Sequence, residues 1–271
     1  MQIGIHLLNR GPNARRELLR DAARIADRLP VDELWVFDHI AIPRDQSQGS
    51  GGRYIEPLAT LAFVAGATER VGIGTRVLIL PYRNPYMIAK SVASIQELSG
   101  GRLRLGCGVG WLEAEFQVLG VDRKRRGALT DAALEVIHRC FAADEVEVNG
   151  ARVLFRPRPP RPPIYIGGAP PQALARAARF GDGWMPGPTK DPETLRAPIA
   201  ELRRQFAAAG KPAPEVVFSD ALPLDDPGAA RAKIESLAEI GVTQFGLYMP
   251  YETGAEFARL AETLVRATGH G

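Results

Sequence analysis

Apolar positions along this chain recur with two different periods, and the two alternate from one end to the other. Residues 3–8, Ile-Gly-Ile-His-Leu-Leu, form an apolar run of strand length. Over 14–29, Leu18, Ala22, Ile25 and Leu29 return every three or four positions, which predicts a helix with one buried face. The pairing repeats with strand 33–37 before helix 57–67, strand 71–80 before helix 85–98, and strand 102–108 before helix 127–141. Proline opens the 85–98 helix at its first turn, and Gly100-Gly101 closes it. Further on come strand 164–166 with helix 170–180, strand 183–185 with helix 192–209, strand 216–222 with helix 228–240, and strand 244–249 with helix 254–267.

One segment breaks the rhythm. Residues 145–155 alternate apolar and polar around Asn149-Gly150, a strong two-residue hairpin signal, and a proline-rich run at 157–163 leads back to the next strand. Eight strand–helix units with a β-hairpin inserted between units four and five predict an α/β fold, a (β/α)8 TIM barrel, as one domain over 1–271. A doubly wound open sheet is the competing architecture. It would carry Gly-x-Gly-x-x-Gly after its first strand, where this chain reads Leu8-Asn9-Arg10-Gly11-Pro12.

Composition narrows the function classes. The net charge is only +3, and the one basic cluster, Arg123-Lys124-Arg125-Arg126, reads as a solvated loop rather than a nucleic-acid site. No stretch reaches about 18 uninterrupted apolar residues, so no membrane span is expected. The first residues lack a basic segment followed by an apolar one, so a cytoplasmic protein acting on a small molecule is expected. The cysteines, Cys107 and Cys140, fall in a strand and a helix and form no metal or disulfide pattern.

In a barrel, chemistry sits at strand C-termini. Strand four ends in alternating glycines, Gly106, Gly108 and Gly110, which read as bare backbone for a flat ligand. Asp38 and His39 stand at the end of strand two, an acid beside a group that moves protons near neutral pH. The glycine-rich loop 41–54 reads equally as a lid or a surface loop. Asn84 fits a helix cap. Gly167-Gly168 before Pro170-Pro171 is either an anion site at a helix start or a tight turn. His6, inside strand one, faces the site or is structural; His138 reads as exposed, and His270 lies in the tail. The lysines fall in predicted helices or loops, which argues against a Schiff-base mechanism.

Taken in order, several of these segments resemble the bacterial luciferase-like monooxygenase superfamily, in particular its deazaflavin-dependent branch. They are Asp38-His39, Arg70 to Thr75, Arg83-Asn84-Pro85, Leu98 to Arg102 with Gly106 to Phe116, and Tyr165 to Gly168 with Gly181-Asp182-Gly183. The resemblance implies a (β/α)8 barrel, often a homodimer, that binds FMN or coenzyme F420 and transfers hydride to or from its ring. It implies His39 as the catalytic residue and Asp38 against the ring system. It places a non-proline cis peptide at Arg76–Val77, forming a bulge behind the ring. Val109 and Gly110 would meet the ring edge and tail, and Gly167 and Gly168 the phosphate. The sugar-phosphate branch has a catalytic glutamate where this chain has Trp111 and a tryptophan where it has Pro43, which argues against that substrate class. Trp111, with His6, would line a substrate pocket, or it is packing. Glu113 and Glu115 lie close by without an implied role. The Arg123 to Arg126 cluster suits the acidic tail of F420 and leans the reading toward that cofactor. An FMN monooxygenase using O2 and a non-catalytic flavin-binding barrel are the alternatives.

Overall fold

The structure, a computed structural model, describes residues 1–269, so His270 lies outside the described residues. In chain order the strands are β1 (Gln2–His6), β2 (Glu33–Val36), β3 (Gly72–Thr75), β4 (Leu78–Ile79), β5 (Leu103–Gly108), β6 (Glu145–Val148), β7 (Ala151–Leu154), β8 (Ile164–Gly167), β9 (Gly183–Met185), β10 (Glu215–Asp220) and β11 (Gln244–Leu247). The parallel ring runs β3-β2-β1-β11-β10-β9-β8-β5 and closes where Ile73 and Gly74 of β3 pair with Leu103 and Arg104 of β5. That closure excludes the open sheet. The β6–β7 hairpin stands apart, turning at Asn149 (φ 50°) and Gly150 (φ 78°) as the Asn-Gly signal predicts.

The outer helices bury the faces their periodicity marks. Helix Arg16–Arg28 buries Leu18, Leu19, Ala22, Ala23 and Ala26. The Asn84 side chain accepts from the Tyr86 and Met87 amides and so caps helix Pro85–Leu98. No described helix is long and apolar enough to cross a membrane.

Two elements differ from the periodicity reading. The single strand expected over 71–80 is broken. Gly74 pairs with Arg104 and Leu78 with Cys107, so four steps on one strand match three on its neighbour. The extra residue is a bulge at Arg76–Val77, and that peptide bond is cis. The second difference is a short helix, Glu113–Val118, which no apolar periodicity announced because it buries a carboxylate, Glu115, beside Phe116.

Trp35, Tyr165, Met185 and Val217 fill the barrel interior, with Val77 packed on them. Trp35 fits because its neighbours have no side chains. A Cβ at Gly4 would lie 2.6 Å from its Nε1, and one at Gly74 2.4 Å from its Cζ3. Below this layer Glu33 pairs with Arg104 Nε at 3.2 Å, and the Tyr165 hydroxyl donates to Glu215 at 2.8 Å.

Burial raises the Glu33 carboxyl to about 7, against the pull of Arg104. The unfolded chain ionises this group near 4.5, so folding holds the proton more tightly. Stability from Glu33 is therefore complete below about pH 4.5 and lost as pH rises to about 7, a loss of roughly 3 kcal/mol. Glu33→Gln should remove that decline, measured by urea unfolding between pH 5 and 8; an unchanged slope refutes the assignment.

Candidate active site

The glycines at the end of β5 make room for the chain's own bulge. A Cβ at Gly106 would lie 2.1 Å from the Thr75 carbonyl oxygen, and one at Gly108 2.4 Å from Val77 Cγ2. Gly110 has φ +76° and faces Ile79 and Phe116. Part of that bare backbone receives the chain's own bulge: Val77 is seated between Gly108 and Gly167, whose Cβ would lie 2.8 Å from Val77 Cγ1, while Gly108 and Gly110 also border open space. A ligand above would rest on Val77. Valine has few rotamers to yield with, so Gly108→Ala should cost about 1–3 kcal/mol and tilt this platform. Parallel unfolding and cofactor titrations check this; unchanged values in both would refute it.

A two-lobed cleft opens over this platform at the strand C-termini. The smaller lobe, about 280 Å³, is lined by Asp38, His39, Ile79, Gly108, Val109 and Gly110. The larger, about 630 Å³, is lined by His6, Arg10, Met185, Ser219 and Tyr248, among others. Phe37, Arg76, Val77, Trp111, Gly167 and Gly168 border both. His6, Asp38, His39, Arg76, Val77, Val109, Gly110, Trp111, Gly167 and Gly168 therefore converge on one cleft, whereas Gly106 and the Arg123 to Arg126 cluster do not line it.

His39 is held from behind. Its Nδ1 lies 3.0 Å from Glu115 Oε2, which also accepts from the Tyr82 hydroxyl at 2.9 Å. Glu115 Oε1 accepts from the backbone amides of Ile40 and, at 3.1 Å, Ala41. The Glu115 side chain is fully buried. Burial pushes its carboxyl up, but the bonds from His39 and the two amides outweigh this and hold it below the usual range. An ionised carboxylate only accepts, so His39 Nδ1 carries a hydrogen, and the lone pair of the neutral ring is on Nε2. The rings of Tyr54 and Trp111 meet the imidazole edge-on at 5.0 and 6.2 Å.

Asp38 has no free carboxylate oxygen. Arg83 grips it at 2.6 and 2.8 Å, the Ile79 amide donates to it at 2.8 Å, and Arg83 also reaches Glu56 at 2.8 Å. Asp38 thus ties the end of β2 to β4 beyond the bulge. Trp111 is 63% exposed at the cleft rim, so it is not core packing. The loop 41–54 is anchored at its far end: Arg53 donates to the Ala14 carbonyl, and Tyr54 touches His39. The Gly168 amide donates to the Met185 carbonyl at 3.3 Å, so this amide is engaged within the protein. His138, expected to be exposed, is half-buried and bonds the Phe180 carbonyl at 2.8 Å. Arg123 pairs with Glu113 at 3.0 Å, whereas Lys124 and Arg125 are exposed.

Glu115, Tyr82, Arg10, Ser219 and Tyr248 were not singled out for the site by sequence. For Glu115 a signal existed: a carboxylate next to Phe116, soon after a strand-end glycine run. Nothing in its neighbourhood, however, names a partner at position 39.

Comparison with known proteins gives a concordant picture. An uncharacterized protein of Mycobacterium tuberculosis is 32% identical over 255 residues, covering 86% of each chain. The F420-dependent glucose-6-phosphate dehydrogenase of Amycolatopsis mediterranei is 34% identical over 181 residues, covering 63% of this chain and 53% of that one. The monooxygenase RslO1 from Streptomyces bottropensis superposes with a TM-score of 0.82 at 23% identity, over 98% of this chain and 99% of that one, a likeness of fold. The profile of the luciferase-like monooxygenase family matches residues 1–268. With that match added to the closed barrel and the strand-end cleft, the chain belongs to the luciferase-like monooxygenase family.

Proposed function

We propose that this chain is an oxidoreductase that uses coenzyme F420 to move hydride to or from a small organic substrate. The cleft fits such a group: Val77 offers an apolar seat between two glycines, and the joined lobes have room for a fused ring system beside a second molecule. When bound, the cofactor supplies the ring carbon that gives or takes hydride.

The observation that carries the reading is the His39–Glu115 pair. Glu115 fixes the imidazole with Nε2 as its basic atom, and His39 lines the lobe over Val77. His39 Nε2 takes or returns the proton that accompanies hydride transfer. Phe37 and Trp111 border both lobes and present apolar rings to them. Asp38, Val109, Gly110, Gly167 and Gly168 would line the ring and the start of its tail.

The preference for F420 rests on the basic cluster. Lys124, Arg125 and Arg126 form no salt bridge among the described residues, which leaves them available to an acidic tail. A second reading, FMN-dependent oxygenation, is favoured by Arg123, whose charge is already met by Glu113. Sugar-phosphate oxidation is not proposed, because Trp111 occupies the position of that branch's acid.

Parallel fluorescence titration of the purified protein with F420 and FMN tests the reading. Micromolar F420 binding with FMN at least about tenfold weaker is expected. Tighter FMN binding selects the second reading, and failure of both rejects the two together.

A further inference from the structure

The larger lobe presents donors with no acidic partner. Arg76 and Arg10 both line it, and neither forms a salt bridge among the described residues. Arg76 spends Nε on Ser219 Oγ at 2.6 Å and Nη2 on the Pro186 carbonyl at 2.9 Å. Arg10 lies over the Phe37 and Tyr248 rings at 5.0 and 5.1 Å and donates to the Tyr248 hydroxyl. The lobe's one acidic lining residue, Asp220, is taken by Lys233 at 2.7 Å.

His6 backs the two arginines. Its ring is 1% exposed and stacks on Phe37 at 4.7 Å. Burial, Arg76 and Arg10 all push its pKa well below the usual value, so the ring is neutral. Its Nε2 sits 3.0 Å from Ser219 Oγ. That hydroxyl also accepts from Arg76 Nε and keeps a second lone pair, so it holds His6 beside Arg76 in either tautomer. His6 Nδ1 has no partner in the protein and is closed off from solvent, so the arginines are the groups that face a ligand. A buried guanidinium without a counter-ion is costly. The apolar remainder of the wall, including Phe37, Met185, Pro186, Pro188 and Trp111, suits a flat hydrocarbon body.

We propose that this lobe is the substrate subsite and that it selects a small organic anion, a carboxylate on a planar apolar body, held by Arg10 and Arg76. This rests on the proposed function only in placing the cofactor ring over Val77. The rival source of an anionic oxygen is the cofactor itself, because Arg76 borders both lobes.

The probes are 2-naphthoate and its neutral amide, 2-naphthamide, titrated calorimetrically into the purified protein, with and without saturating F420 or FMN. The acid should bind at least about tenfold tighter than the amide, the gain of a charge-assisted contact. Arg10→Met and Arg76→Met should each erase the preference, while Arg76→Lys should keep part of it; circular dichroism confirms that each variant folds. Acid and amide of equal affinity overturn the proposal, and so does a preference that survives both methionine variants. Competition between the acid and a bound cofactor also overturns it, because the arginines would then serve the cofactor. If neither cofactor binds, the cofactor reading fails, and the acid–amide comparison still decides this one.

Discussion

Replacing His39 by alanine is expected to lower turnover by about 10²–10⁴-fold while leaving cofactor affinity within about threefold. The imidazole borders the smaller lobe at one side, and the platform is built by Val77, Gly108 and Gly167, which the substitution does not touch. What is lost is the proton carrier. His39→Gln retains a group able to donate to Glu115 but has no basic atom, so it should be about as slow as alanine. Single-turnover absorbance of the bound ring separates hydride transfer from product release. A rate within tenfold of wild type in both variants would sink the assignment.

Removing the carboxylate behind that histidine should produce the second-largest effect, on stability and on rate together. Glu115 is the common acceptor for His39 Nδ1, the Tyr82 hydroxyl and the amides of Ile40 and Ala41. Glu115→Ala strands all of these donors in a buried place and should cost about 3–5 kcal/mol. Glu115→Gln keeps one oxygen and replaces the other by an amide nitrogen that cannot accept, so about 1–3 kcal/mol is expected. In the glutamine variant the Nδ1 hydrogen loses its anchor, the other tautomer becomes accessible, and the rate should fall toward that of His39→Ala.

The double variant distinguishes a positioning role from simple damage. If Glu115 acts through His39, His39→Ala with Glu115→Gln should be no slower than His39→Ala alone. An additive loss would mean that Glu115 acts independently. The pH dependence carries a sign. The Glu115 carboxyl is held below its ordinary value in the fold, so its contribution is complete above the unfolded value near 4.5 and is lost as pH falls through the lower folded value. Urea unfolding between pH 7 and 3 should show this acid limb in wild type and a weaker one in Glu115→Gln. Equal limbs would contradict the assignment.

The address of the candidate site is legible where local pattern carries it. Asp38-His39 could be placed at a working edge because a short apolar strand ends there and barrel sites lie at strand ends. The Arg76–Val77 break was legible only through resemblance, since Val71 to Leu80 keeps a strand's composition across the bulge. The glycine run marks a close approach, and the groups that approach are Val77 and the Thr75 carbonyl. Composition marks such a space without naming its occupant. Glu115 was invisible as a partner because it meets His39 across 76 residues of chain.

By itself, then, the sequence determined the eight alternating units, the hairpin at Asn149-Gly150, the helix cap at Asn84 and the strand-end address of the candidate site. Each depends on hydrogen bonds and apolar spacing among residues close together in the chain. Only the tertiary structure decided which carboxylate orients His39, that Asp38 is spent on Arg83, and that Arg76 reaches Ser219 from 143 residues away to face a lobe without a counter-charge. Closing the ring brings these groups together, and the low dielectric around them makes each pairing, or its absence, decide charge and tautomer. Neither effect is written in a neighbouring residue.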